Sequence, residues 1–424
     1  MTQPPESPPT ALATPPKARR GTLLLALAVP IAAAALFAAG PDLRNEALAA
    51  KPSENGDDTA ALQKLIDTAS HDGGGVVQLA AGTYRVAKPL YLRSGVTLRG
   101  AGPDTKITNV GLNKGLQWGG VVLFAGNIGP ASYSGAIGIG YPGHPARRVD
   151  AQTLELEGCN PATLPKVGQI VWTSSEALEN GNRGVPLPEY GEMNAVSAVS
   201  DCRVALADPV SAPAGMPLEL HWSDGSTVRP LGDPNLPIRD AGVERLTLES
   251  DRSQAIVVSG CYHCRFTDLV IAKSLRLFPV QGTRGSLFEN ISGTFTQRGI
   301  EFAMYGTGNT IRNIRGTYRF EPGVKPRPAI RFGEYARDNI IEDVVLDLRD
   351  RYSEKVKIRF DGSGGNKLRD IQILVADRPD QHDAVMYRAA NSQAVTDRRP
   401  EGTVIERVRM CRNEDDENGC VARD

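Results

Sequence analysis

From Val243 onward one four-residue pattern keeps returning: an apolar residue, two mostly polar residues, then a second apolar residue. It occurs at Val243–Leu246, Phe266–Leu269, Phe288–Ile291, Ile311–Ile314, Ile341–Val344, Leu368–Ile371 and Ile405–Val408, at spacings of 23, 22, 23, 30, 27 and 37 residues. A base period of 22–23 residues is one coil of a solenoid, and the longer gaps are coils with larger loops. A second pattern precedes the tetrads: Ile256–Val258, Leu275–Leu277, Ile300–Phe302, Ile330–Phe332, Ile358–Phe360 and Val385–Tyr387, each apolar at its two ends. Side chains alternate across a strand, so the ends face inward and the middle residues form an outward file: Val257, Arg276, Glu301, Arg331, Arg359, Met386. Parallel strands lie about 4.8 Å apart, which sets Glu301 between Arg276 and Arg331.

The stretch Gly56–Gly102 begins this organisation. Leu62, Leu65, Ile66 and Ala69 fall at helical spacing, and Asp57, Asp58 or Thr59 supplies a cap. Gly73–Gly75 ends the helix. Short strands follow at Val76–Leu79, Tyr84–Val86, Leu90–Leu92 and Val96–Leu98, separated by turns at Ala81-Gly82 and Ser94-Gly95. Such strands do not enclose a core alone; they suit a coil stacked on the next, with the helix covering the open end.

Gly56–Ala61, Gly73–Val77, Ala81–Tyr84 and Val96–Gly102 together resemble the N-terminal part of the pectate-lyase-like superfamily. The resemblance implies an all-β chain: a right-handed parallel β-helix with an N-terminal capping helix. The superfamily includes polysaccharide lyases, glycoside hydrolases, uronan epimerases and phage tailspikes, so it implies a polysaccharide ligand without fixing the reaction. The Asn-Thr-Asp, Gly-His-Gly and Arg-Ile-Lys motifs of polygalacturonases are absent, and no Asp-Asp pair stands in the main coils 237–410. Also absent are the Asp-Pro-His-Glu of mannuronan epimerases and the calcium-binding aspartate cluster of pectate lyases.

Between 146 and 236 the texture changes. Strand-like runs at Thr153–Leu156, Gly168–Thr173, Ala195–Val199 and Arg203–Leu206 are broken by Pro and Gly, as in a small antiparallel β subdomain inserted into the solenoid. Trp172 and Trp222 read as its core. The expected organisation is residues 1–50 as an export signal or anchor, 51–145 as N-terminal coils, 146–236 as the insert, 237–410 as the main coils and 411–424 as a tail. Asn309, Asn339 and Asn366 stand two residues ahead of their tetrads and are read as a structural ladder at one turn, where asparagine tolerates left-handed backbone.

With 424 residues and 41% hydrophobic residues, the chain has ample material for a core. Its 44 Gly and 30 Pro suit many turns, and a net charge of −1 gives no reason to propose nucleic acid. Lys17, Arg19 and Arg20 precede an apolar run from Leu23 to Ala39, with Ala47–Ala49 as a cleavage site; left uncleaved, 23–39 is long enough to attach the chain to a membrane. Both readings put the bulk of the chain outside the cytoplasm, periplasmic or extracellular. The six cysteines agree, falling into the local pairs Cys159/Cys202, Cys261/Cys264 and Cys411/Cys420 out of fifteen pairings that six cysteines allow. The two-residue spacer of Cys261/Cys264 strains a bridge if the strand is extended. No second Cys/His pair has matching spacing, so no metal is expected, nor any cofactor; Glu414–Glu417 reads as a solvated loop.

A parallel β-helix works on a groove along one sheet. The file Arg276, Glu301, Arg331, Arg359 is the candidate face, since guanidinium forks match carboxylate or sulfate bidentately; Arg298, Arg327, Lys273 and Lys325 precede the same strands. A lyase needs a cation on the uronate carboxylate and a base, for which Arg331, Arg359 and Tyr305 are candidates. A hydrolase needs two carboxyl groups, which Glu301 with Glu334 or Asp361 supplies. Arg276, Arg298, Arg359 and Asp361 are the expected substrate contacts. A non-catalytic protein that binds or helps assemble an exopolysaccharide is the alternative, and the loops carrying Trp118 and Tyr133 are the alternative location.

Overall fold

The computed structural model describes residues 48–54, 56–110, 121–126, 143–175, 190–222, 237–251, 253–376, 385–388 and 399–413, with short strands at 177–178, 187–188, 395–396 and 420–422. The apolar run 23–39, Trp118, Tyr133 and the acidic run 414–417 lie outside the described residues. Among the described residues no helix is long and apolar enough to cross a membrane. Leu48–Ala50 forms a strand in register with Val77–Leu79, so cleavage at Ala47–Ala49 would remove it.

The fold is a parallel β-helix. One sheet, the tetrad sheet, is built from the strands that hold the tetrads, and Val243, Phe266, Phe288, Ile311, Ile341, Leu368 and Ile405 are successive register partners within it. All seven are buried. Strict alternation would turn the two apolar ends of a tetrad to opposite faces, yet both face the core. The third tetrad residue explains this: Arg245, Asp268, Asn290, Asn313, Asp343, Asp370 and Arg407 all have φ between 51° and 56°. A left-handed residue makes a corner in the strand, and Asn and Asp adopt it most readily. Outside the corner, Asn313 Nδ2 donates to Asn290 Oδ1 at 2.6 Å and Asn290 Nδ2 to Asp268 Oδ1 at 2.9 Å.

The second sheet, the triplet sheet, runs from Leu90–Leu92 through Leu123–Ala125, Ile256–Ser259, Arg276–Gln281, Arg298–Met304, Ile330–Glu334 and Ile358–Asp361 to Val385–Arg388. Its register differs from the expected one on a single coil. Phe278, Pro279 and Val280, not Leu275–Leu277, align with Ile300, Glu301 and Phe302, and Arg276 aligns with Arg298. The proline hid this triplet, because proline is disfavoured inside sheets; here its ring occupies an outward position.

Asn309, Asn339 and Asn366 form a fully buried ladder. Asn309 Nδ2 donates to Asn339 Oδ1 and Asn339 Nδ2 to Asn366 Oδ1, both at 2.9 Å, and each carboxamide oxygen also accepts the backbone N–H one coil earlier. The left-handed residues at this turn are their predecessors, Gly308, Asp338 and Gly365, not the asparagines.

The helix α1 (Thr59–His71) buries Leu62, Ile66 and Ala69 against the first coil. Asp57 caps it, accepting from Thr59 N at 2.9 Å, while the Asp58 carboxylate ties the adjoining chain by accepting from Ser53 N and Arg85 N. Gln63 closes the bare edge of Leu90–Leu92 as another strand would: its Oε1 accepts from Tyr91 N at 2.8 Å and its Nε2 donates to Tyr91 O at 3.0 Å. At the other end both sheets finish in antiparallel returns, Val395–Thr396 and Cys420–Ala422.

The inserted antiparallel piece is a closed six-stranded barrel whose strands lie between Gly143 and His221. The solenoid resumes as though uninterrupted, with Gly242 paired to Thr97 and Thr247 to Lys106. Trp222 is buried in the barrel core and donates from Nε1 to Thr163 O at 3.1 Å; Trp172 is buried where the barrel meets the helix. All three local disulfides are present, Cys159–Cys202, Cys261–Cys264 and Cys411–Cys420. The Cys261–Cys264 spacer is not extended: His263 has a φ of 53° and turns the chain between the two cysteines.

The two asparagine rows differ in burial, and that difference is measurable. Asn339→Ala strands a buried backbone N–H and carboxamide partners, so it is expected to lower unfolding free energy by about 1–3 kcal/mol. Asn313→Gly in the exposed row, which keeps the left-handed corner and removes only the exposed carboxamide, is expected to cost well under half as much. Denaturant unfolding of both variants checks this, and equal losses would contradict it.

Candidate functional site

The tetrad and triplet sheets carry charge on their outer faces in different ways. On the tetrad sheet the pairs are matched in number and partly exposed: Arg99 with Glu244, Lys106 with Glu249, Arg312 with Glu289, and Arg369 and Arg407 with Glu406 and Asp370. Such pairs contribute about 0–1 kcal/mol each and decorate a solvated sheet. Among the described side chains of the triplet sheet, four arginines gather on two carboxylates. Glu301 Oε2 lies 2.6 Å from Arg276 Nη1, and its Oε1 contacts Arg298 and lies 3.1 Å from Arg331 Nη1. Asp361 accepts from Arg331 Nε at 2.7 Å and from Arg359 Nε at 2.6 Å.

The parallel register builds this cluster. Glu301, Arg331 and Arg359 are successive partners in one outward row, and Asp361 follows two residues after Arg359 on the same face. Arg276 and Arg298 pair with each other three residues ahead of the row and reach in to Glu301. The expected file thus survives for Glu301, Arg331 and Arg359, while Arg276 joins by reach. The row is not solvated as a bare ladder would be. Glu301 is fully buried and Asp361 is 4% exposed, while the arginine side chains keep 13% (Arg276), 15% (Arg331) and 20% (Arg359). The carboxylates therefore lie beneath and the guanidinium groups form the surface.

Five expected participants lie elsewhere or differ in setting. Tyr305 is fully buried at a φ of 51°, stacked on Tyr335 with centroids 5.5 Å apart and edge-on to Trp172 at 5.7 Å, so its ring packs against the barrel. Glu334 ends its strand opposite Met304, and its side chain is outside the described set. Lys325 and Arg327 are exposed, and Lys273 pairs with Asp251.

Sequence reading missed two groups. Arg388 stands in register with Asp361, and the composition of Val385–Arg388 gave it no prominence beside Met386. Lys357 is 1% exposed and lies 4.8 Å over the Tyr352 ring, with its Nζ donating to Glu354 O; burial pushes the Tyr352 hydroxyl far above the ordinary tyrosine value.

A second buried network pins the barrel beside the triplet sheet. Arg284, on the helix, lies 2.8 Å from Glu192 Oε2 and 3.3 Å from Asp208 Oδ2, and donates to Met193 O and Pro209 O. Asp208 also accepts from Tyr262 Oη at 2.8 Å and has His263 Nε2 at 3.2 Å. Around it Trp172, Met193 and Ala195 pack on Tyr262, Tyr305 and Tyr335. Here the charges have defined partners on both bodies, which marks a joint.

Two outcomes separate these clusters. Glu301→Gln removes the counter-charge beneath three arginines and is expected to cost up to about 3 kcal/mol of stability, the lower end for a buried pair because the arginines keep an edge in water. Denaturant unfolding reads it, and a loss under 1 kcal/mol would place the cluster with ordinary surface pairs. At the joint, burial opposes ionisation of Asp208, but hydrogen bonds from His263 and Tyr262 and the charge of Arg284 outweigh it and hold its carboxyl below the usual aspartate value. Its stabilising contribution is complete above the unfolded value of about 3.9 and is lost as pH falls through the folded value. Protection factors for amide exchange in 191–196, corrected for the intrinsic pH dependence, should therefore fall on acidification in the parent and change less with pH in Asp208→Asn; identical pH profiles would contradict this role.

Residues 46–120 match the family model described as rhamnogalacturonase A/epimerase, pectate lyase-like. No functionally curated protein matches the chain. Among solved structures, it is similar to the tailspike gp61 of Pseudomonas phage phi297 at 11% identity and a TM-score of 0.40, covering 75% of this chain and 57% of that one. It is also similar to the tailspike gp49 of Pseudomonas phage LKA1 at 12% identity and 0.31, covering 83% and 76%. A pectin methylesterase in complex with a hexasaccharide aligns at 11% identity and 0.35, covering 84% and 92%. The N-terminal coils, on the residues that carried the resemblance, are thus similar to that pectate-lyase-like family, and the stacked coils that continue from them make the chain a parallel β-helix.

Proposed function

We propose that the outer face of the triplet sheet binds an acidic polysaccharide through Arg276, Arg331 and Arg359, with Glu301 and Asp361 holding those arginines in place. The supporting observation is the shielded cluster: among the described side chains, four arginines gather on two buried carboxylates, whereas the tetrad-sheet pairs are partly exposed. Planar, partly desolvated guanidinium forks held side by side suit carboxylate or sulfate groups. The family match and the three disulfides are consistent with an exported, carbohydrate-active protein.

Between the two reactions weighed, elimination suits this face better than hydrolysis. Elimination needs a cation at the uronate carboxylate, which the arginines offer. Hydrolysis needs two carboxyl groups flanking the bond, whereas Glu301 and Asp361 lie beneath arginine donors. The burial of Tyr305 in the joint favours the second reading, binding without cleavage, because it withdraws one candidate base.

Arg359→Ala tests the site with little disturbance, since among the described residues it pairs with Asp361 and it is the most exposed of the four. Its removal is expected to weaken retention on immobilised acidic polysaccharide about tenfold, the scale of one charge-assisted contact, with nearly unchanged melting temperature. Unaltered retention would reject the site. New unsaturated ends appearing on the polysaccharide would support elimination, and their absence despite binding would support the non-catalytic reading.

A further inference from the structure

Tyr262 and His263 stand between two bonded cysteines, Cys261 and Cys264, and both reach the barrel. Tyr262 Oη donates to Asp208 Oδ2 at 2.8 Å, His263 Nε2 lies 3.2 Å from the same oxygen, and the two rings stack with centroids 4.0 Å apart. Single parallel bridges run from Tyr262 through Arg284, Thr307 and Arg337 to Gly364. The residues one step on, His263, Gly285, Gly308, Asp338 and Gly365, therefore occupy equivalent positions on successive coils. All five are left-handed, with φ of 53°, 59°, 63°, 54° and 66°. Three of them are glycine, and His263 carries the largest side chain of the set. The next coil leaves room for that ring: a Cβ on Gly285 would lie 2.4 Å from His263 Cδ2. Of these five coils, the one that turns at His263 is the one with a disulfide across the turn.

The bridge closes a sequence separation of 3, against 43 for Cys159–Cys202 and 9 for Cys411–Cys420, so it restricts the unfolded chain least. Its effect is local. Both cysteines are fully buried in the core of the helix, and bonding them fixes the turn from which the two rings project. We propose that the Cys261–Cys264 disulfide is an oxidation-set lock on the barrel: closed, it holds Tyr262 and His263 on Asp208; open, it frees the turn and loosens the barrel while the coils stay folded. Closing the lock oxidises two thiols to one S–S bond, and the two electrons and two protons pass to a partner disulfide, which is reduced to two thiols. A dithiol runs the same exchange backwards. Because both sulfurs are shielded, exchange needs the turn to open first, so the lock persists once set. The barrel packs through Trp172, Met193 and Ala195 on Tyr305 and Tyr335, which directly follow the strands Arg298–Met304 and Ile330–Glu334. The lock thus sets the wall at the end of those strands, whatever ligand their outer face takes.

Hydroxyl-radical footprinting of the full chain tests this, comparing the parent with Cys261→Ser/Cys264→Ser. Trp172 and Met193 report the joint, Trp222 the barrel core and Phe332 the coil core, and all four are buried in the parent. Labelling of Trp172 and Met193 is expected to rise about tenfold in the double variant, the scale of one charge-assisted contact, with Trp222 and Phe332 unchanged. Tyr262→Phe/His263→Gln, which keeps the bridge and removes its reach, is expected to give the same rise. Dithiothreitol treatment of the parent, followed by alkylation and mass spectrometry, follows the opening of each bridge. Joint labelling should appear with alkylation of Cys261 and Cys264; its appearance with Cys159 and Cys202 instead would overturn the lock. Trp172 and Met193 at parent levels in either variant would also overturn it. So would a rise shared equally by Trp222 and Phe332, which would make the bridge a general staple.

Discussion

Each coil of this protein depends on a left-handed corner inside a strand. Two apolar residues three positions apart point to opposite faces of an ordinary strand, so the tetrads bury both ends only because the third residue turns the chain. That conformation costs an ordinary L-residue about 1–2 kcal/mol, and Asn or Asp occupies it at five of the seven tetrads. In-register backbone pairing between coils repays the cost, because every corner aligns with the next and no hydrogen-bonding edge is lost within the stack. The ends are the exceptions. There Gln63 imitates a strand at one end, and antiparallel returns cover the last coil at the other.

Stacking with a fixed register turns sequence repeats into files of side chains, and the files on the two sheets acquire different physics. Where cations and anions alternate on the tetrad sheet, solvent screens them and they weigh little. Where arginines gather over Glu301 and Asp361, burial removes that screening, and the carboxylates become part of the framework that orients the guanidinium groups. The same residue types thus give a decorated surface on one face and a preorganised cationic one on the other.

The barrel adds a second body whose attachment relies on buried polarity as well as apolar packing. Arg284 brings one charge from the helix to two barrel carboxylates and two barrel carbonyls, so separation would leave buried charges on both sides. Tyr305 and Tyr335 seal the joint with Trp172. Residues that look chemically active in the sequence are here consumed by assembly.

The sequence by itself determined the coils, the capping helix, the inserted antiparallel piece, the asparagine ladder and the local cysteine pairing. Each of these is encoded in short periodic patterns, and a pattern of apolar positions largely decides what can be buried. It also singled out Glu301, Arg331, Arg359 and Asp361 as neighbours, because register partners in a parallel stack follow from repeat spacing. Tertiary structure alone decided the rest. Pro279 shifted one coil by three residues, so Arg276 meets Glu301 by reach and not by register. The depth of Glu301 depends on what packs over the sheet, which no local pattern records. Tyr305 went to the joint because the barrel, distant in sequence, lies against it, and Arg388 joined the arginines only through pairing with Asp361 on the preceding coil. Periodicity specifies which residues share a face; how far that face is removed from water is a property of the whole fold.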